Sequence, residues 1–107
     1  MTELTSEDQK LVTLARATRV RAGAAEGAAV RDLDGRTYAG ATVTLPSLQV
    51  SAVGVCVAMA VASGSQGLDA VVLLTDGQLS DADRAVIAEF GGDAVAVLVG
   101  DTRGNIP

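Results

Sequence analysis

The chain contains no histidine, no tryptophan and a single cysteine, Cys56. Without imidazole there is no histidine general base and no histidine-ligated metal. One thiol cannot build a thiolate cage for zinc or an intrachain disulfide, which suits a reducing interior. Lys10 is the only lysine and lies near the start, a poor position for a Schiff base. Aromatic residues are down to Tyr38 and Phe90, too few for a base-stacking platform. The net charge of −5 repels phosphate backbones, so nucleic acid is not an expected partner. No basic-then-apolar leader opens the sequence. The longest apolar run, residues 50–62, would span about 20 Å as a helix, short of a bilayer's ~30 Å hydrocarbon core. The expectation is a cytoplasmic protein with no membrane association.

What is present is small and aliphatic. Hydrophobic residues make up 49% of 107 positions, so the core must come from Val, Ala, Leu and Ile, with Gly permitting close backbone approach. One domain, 1–107, is expected. Thr5-Ser6-Glu7-Asp8 reads as a helix cap, and Leu11, Leu14 and Ala15 carry helical spacing to about Arg21. Arg16 and Arg19 are expected on its solvated face. Two short strands follow around Asp34-Gly35, a hairpin signal, with Gly27 and Gly40 marking bulges or close contacts and Pro46 ending the second strand. A second helix is expected over 47–63, capped by Ser47 or Ser51. Residues 68–75 read as a buried strand, Ser80 onward as a helix closing at Gly91-Gly92, and 94–100 as another buried strand before a turn. Helix, hairpin, helix, strand, helix, strand is the order of an α/β sandwich with a mixed sheet.

The second helix is apolar all round. Val53, Val57 and Val61 form one ridge, and Gly54, Ala58 and Ala62 a smooth one beside it. Such a helix is buried on every side. In a small domain a second subunit is the expected cover, giving a homo-oligomer, dimer or tetramer, through residues 50–62. The alternative is that neighbours within the chain suffice.

Four stretches carry a resemblance: "EGAAVRDLDGRTYAGATV" (26–43), "SAVGVCVAMAVASG" (51–64), "LSDADRAVIAEFG" (79–91) and "AVAVLVGDTRGNIP" (94–107). In this order they resemble segments of the small homotetrameric cytidine deaminases. The likeness runs from about Leu11 to the end and is most specific over Arg84 through Gly91. It implies a three-layer α/β/α sandwich. In that family a Cys or His and two later cysteines hold zinc, and a glutamate shuttles protons while the metal activates water. The resemblance places Ser51 at the first ligand position, Val53 at the catalytic glutamate, and Ser80 and Asp83 at the two cysteines. Thr42 and Thr44 fall where Asn and Glu hold the ribose, and Ala24 where a Phe packs on the pyrimidine.

These substitutions imply a zinc-free, catalytically silent relative that needs no cofactor. It would serve as an oligomeric binding or scaffolding module, its old pocket filled by Val53 and its neighbours or holding a different small ligand or a protein partner. Ser80 and Asp83 have capping-box spacing and are expected to finish the helix start. The alternatives are a deaminase whose ligands come from a partner subunit, a hydrolase working through Asp76, Asp81 and Asp83 as an oxygen-ligand cluster, and an unrelated α/β module. Cys56 is expected to be a buried structural thiol, and Ser51 has no base to activate it.

Overall fold

The computed structural model describes residues 4–107. The elements in chain order are α1 (Ser6–Ala22), β1 (Gly27–Asp32), β2 (Thr37–Ala41), β3 (Val43–Leu45), β4 (Leu48–Val50), α2 (Ala52–Ala62), β5 (Leu68–Leu74), α3 (Asp81–Gly91) and β6 (Ala96–Gly100). The main sheet has the order β2-β1-β5-β6, with β1 antiparallel to both β2 and β5 and β6 parallel to β5. It is a mixed sheet between helical layers, the α/β/α sandwich.

Side chains alternate across the two central strands, as the two-residue period of a strand requires. Ala28, Val30, Val71 and Leu73 join α2 and α3 in one core, together with Ala52, Val53, Cys56, Val57 and Ile87. Ala29, Ala70, Val72 and Leu74 face the other way and meet Leu11, Val12 and Ala15 of α1. β5 is therefore apolar from Ala70 to Leu74, where both of its faces are covered. Its one exposed residue, Asp69, accepts a hydrogen bond from Arg31 Nε at 2.8 Å. The Arg31 guanidinium also reaches Asp8 at 3.1 Å and so ties α1 to the sheet.

Both flagged glycines are close-contact positions. A Cβ on Gly27 would lie 2.3 Å from the Ala15 carbonyl oxygen, and one on Gly40 would lie 2.7 Å from Val55 Cγ1. They set how near α1 and α2 sit to the sheet. The sheet's irregularity lies instead between Arg31 and Asp32. Burial pushes the Cys56 thiol up to about 12, so it is protonated and inert at neutral pH.

Three expectations need correction. Pro46 does not simply end a strand: β2 stops at Ala41, and β3 and β4 form a second hairpin with Pro46-Ser47 at its turn. The second helix consequently starts at Ala52, capped by Ser51, and the stretch before it is strand. The run 94–100 does not form a buried strand. β6 is an edge strand with Val97 37% exposed, and a continuous apolar run does not reveal whether a neighbour lies on both sides. Within one chain α2 leaves Ala58, Val61 and Ala62 exposed, so its neighbours in the chain do not cover every side. No helix among the described residues is long and apolar enough to cross a membrane.

Asp32 closes the turn after β1. It accepts from the Ser65 hydroxyl and from the amides of Asp34 and Arg36, at 3.0 and 2.9 Å. The Ser65 hydrogen bond is the largest influence holding its carboxyl below the ordinary 3.8. Those amides and the Arg36 charge add to it, against the opposing effect of burial. A lowered folded-state value means that this stability is present above pH 3.8 and is lost as pH falls through the folded value. Asp32→Asn should therefore be less stable near neutrality and show a flatter loss of stability below about pH 4. Urea unfolding at a series of pH values measures both; parallel curves for the two proteins would refute this role.

Candidate functional site

The N-termini of α2 and α3 meet at one side chain. Ser51, in extended conformation before α2, accepts from the Gly54 amide at 2.9 Å; Ser80 does the same for α3, accepting from the Asp83 amide at 3.1 Å. Each hydroxyl satisfies one of the four amides a helix start leaves open. In a capping box the residue at the position of Asp83 would reach back to its own cap. Here the carboxylate crosses to the other helix instead, and the Ser51 hydroxyl donates to Asp83 Oδ1 at 2.6 Å. Ser51 Oγ thus accepts from its own helix and donates to its neighbour. Asp83 is buried, 7% exposed, where two helix dipoles favour negative charge.

Beside this junction lies a cleft of about 390 Å³. Its walls include Thr42, Thr44 and Gln49 from the β2–β3 and β3–β4 region, Gln78 and Ser80 ahead of α3, and Ser51, Asp83 and Glu26. Glu26 precedes β1. Its carboxylate accepts from the Thr75 hydroxyl at 2.6 Å, and its amide donates to Thr42 Oγ1 at 3.1 Å. Thr75 in turn accepts from the Gly77 amide at 2.9 Å, which fixes the loop after β5. Two carboxylates and no basic side chain line this cleft. It offers hydroxyls, amides and negative charge, and its volume falls within the range of small-molecule sites.

Of the positions singled out in the sequence, Thr42, Thr44, Ser51, Ser80 and Asp83 are brought together here. Val53 is fully buried in the core against β1 and β5. Ala24 sits in the loop after α1 and does not line the cleft. Asp76 turns elsewhere, accepting weakly from Thr102 at 3.4 Å, and Asp81 is exposed in the first turn of α3. Among the described residues no three His, Cys, Asp or Glu side chains are placed to hold a metal, so the Asp76, Asp81 and Asp83 cluster does not form. Sequence reasoning missed Glu26, Gln49 and Gln78. Glu26 had one signal, a charged residue directly before an apolar strand; the two glutamines had none.

The cytidine deaminase-like family model matches residues 4–104. The chain belongs to the cytidine deaminase-like family. No curated protein matches it in sequence. Among solved structures, it is similar to cytidine deaminase from Burkholderia pseudomallei at 24% identity, covering 97% of this chain and 91% of that one with a TM-score of 0.80. Cytidine deaminase from Mycobacterium leprae is 22% identical over 89% of each chain with a TM-score of 0.75. The enzyme from Mycobacterium tuberculosis is 24% identical, with 89% and 85% of the two chains covered and a TM-score of 0.73. At these identities the likeness establishes the fold. Within the cytidine deaminase-like frame, the junction of Ser51, Ser80 and Asp83 falls at paired helix starts. A helix start is where backbone amides and dipoles most strongly favour an anionic group.

The Ser51–Asp83 bond can be tested for coupling. Ser51→Ala removes a cap and leaves a buried carboxylate without its hydroxyl donor, an expected cost of about 2 kcal/mol. Asp83→Ala is expected to cost about 1–2 kcal/mol. The double variant should lose less than the sum, with a coupling of about 1 kcal/mol in a urea-unfolding double-mutant cycle. Additive losses would show that the two helix starts are not joined energetically.

Proposed function

We propose that this member of the family is a zinc-free, catalytically silent binding module that acts as a homo-oligomer. The observation that carries the reading is the Ser51–Asp83 hydrogen bond. Ser51, Ser80 and Asp83 stand where the resemblance implies zinc ligands. Two alcohols and one carboxylate do not fit zinc, which is held in proteins by thiolate, imidazole and carboxylate. The one carboxylate of the set is already engaged by a hydroxyl. Val53, at the position of the proton-shuttling glutamate, is aliphatic and fully buried, so it can neither take nor give a proton. In this reading the family's route to deamination lacks both its zinc ligand set and, with Val53 at the glutamate position, its proton shuttle.

The cleft itself persists beside the buried Val53, which favours a retained small-ligand site over a filled one. Its carboxylates, hydroxyls and amides suit a polar ligand that is neutral or positively charged. The homo-oligomer is supported by the exposed face of α2, where Val61 is 52% exposed, and by Leu45 and Leu48 at the β3–β4 hairpin, 56% and 52% exposed. Apolar surface of this kind on a small protein marks an association face.

Metal analysis of purified protein should find zinc well below one ion per chain, with no loss of cytidine absorbance on prolonged incubation after zinc is supplied. Stoichiometric zinc together with cytidine turnover would overturn the proposal. Light scattering should give a mass of two or four chains, and Val61→Glu should lower it while leaving the circular dichroism unchanged. A wild-type monomer at high micromolar concentration would remove the oligomer from the reading.

A further inference from the structure

A second cleft, of about 450 Å³, runs along the outer side of α1. Its helical wall is the outer stripe of Arg16, Ala17, Val20 and Arg21, with Val12 at its inner edge, where α1 turns toward the sheet. The other wall is the turn after β6, which adds Arg103. That turn is held in place. Asp101 accepts from the amides of Arg103 and Asn105 at 2.9 and 3.0 Å and from Asn105 Nδ2 at 3.1 Å. A Cβ on Gly104 would lie 3.1 Å from Val12 Cγ1 and 3.8 Å from Arg16 Cδ, so the turn rests directly on α1.

Three of the chain's arginines therefore line one groove in a protein of net charge −5. No Asp or Glu lines it, and none of the three guanidiniums makes an ion pair among the described residues. Arg19, expected on the same face as Arg16, is used locally on the Ala25 carbonyl. Valine and alanine supply an apolar floor, and the volume fits a small organic molecule.

We propose that this groove binds a small phosphorylated organic molecule. Its phosphate is held by the guanidiniums of Arg16, Arg21 and Arg103, and its apolar body lies over Val12, Ala17 and Val20. Planar guanidinium forks match phosphate oxygens in pairs, and the apolar floor distinguishes an organic phosphate from the free ion. The groove is separate from the Ser51–Asp83 cleft, and the proposal does not depend on the reading of that site.

The test is a titration of arginine side-chain Nε–H signals by nuclear magnetic resonance with phenyl phosphate, inorganic phosphate and phenol. Phenyl phosphate should shift the signals of Arg16, Arg21 and Arg103, leave Arg84 unmoved, and bind at least about fivefold more tightly than either other probe. Each of Arg16→Gln, Arg21→Gln and Arg103→Gln should weaken it about fivefold, and raising salt to about 0.5 M should weaken it further. All three positions are exposed, and the titration of the unaltered protein stands without the variants. No shift at these arginines, affinity for inorganic phosphate equal to that for phenyl phosphate, or unchanged binding in the triple variant would overturn the proposal. Tighter binding of an oligoglutamate peptide would also overturn it, assigning the groove to an acidic protein partner.

Discussion

A single hydroxyl-to-carboxylate bond, 2.6 Å between Ser51 and Asp83, joins the starts of two helices on one side of the sheet. Two helix N-termini brought together concentrate unsatisfied amides and partial positive charge, and something anionic must sit between them. Here one carboxylate supplies the negative charge and one serine oxygen satisfies both helices.

The platform beneath it depends on smallness. With two aromatic residues in the whole chain, close packing is reached by bringing backbones together. Gly27 lets α1 approach one face of the sheet and Gly40 lets α2 approach the other. Alternation along β1 and β5 then feeds two separate cores from the same strands. Val53 belongs to one of these cores and adds its side chain to the packing, and the cleft beside it stays open to solvent.

Net charge conceals an uneven distribution. Among the described residues, Glu26 and Asp83 line a cleft with no cation, while Arg16, Arg21 and Arg103 line a groove with no acid. At physiological ionic strength fields fade over about 8 Å, so each surface presents its own sign to a ligand whatever the total. The protein's fold is that of the cytidine deaminase-like family, and its two clefts differ from each other in charge and in polarity.

By itself the sequence determined the three helices and the order of the main-sheet strands, a cap within Thr5–Asp8, the cap at Ser80, the hairpin at Asp34-Gly35 and the family, and it left the second helix's cap between Ser47 and Ser51. These rest on local signals: a side-chain oxygen ahead of an apolar run, a turn dipeptide, a periodicity. It also placed Thr42, Thr44, Ser51, Ser80 and Asp83 as one group, through resemblance and not through spacing. Only the tertiary structure decided that Asp83 reaches across to Ser51 instead of back to Ser80, since a carboxylate chooses between acceptable donors by what folding brings within reach. It decided that β6 is an edge, that residues 43–50 form a hairpin, that Ala24 lies outside the cleft and that Glu26 lines it. It alone set Arg103 beside Arg16, because contacts between residues so far apart in the chain leave no trace in local pattern.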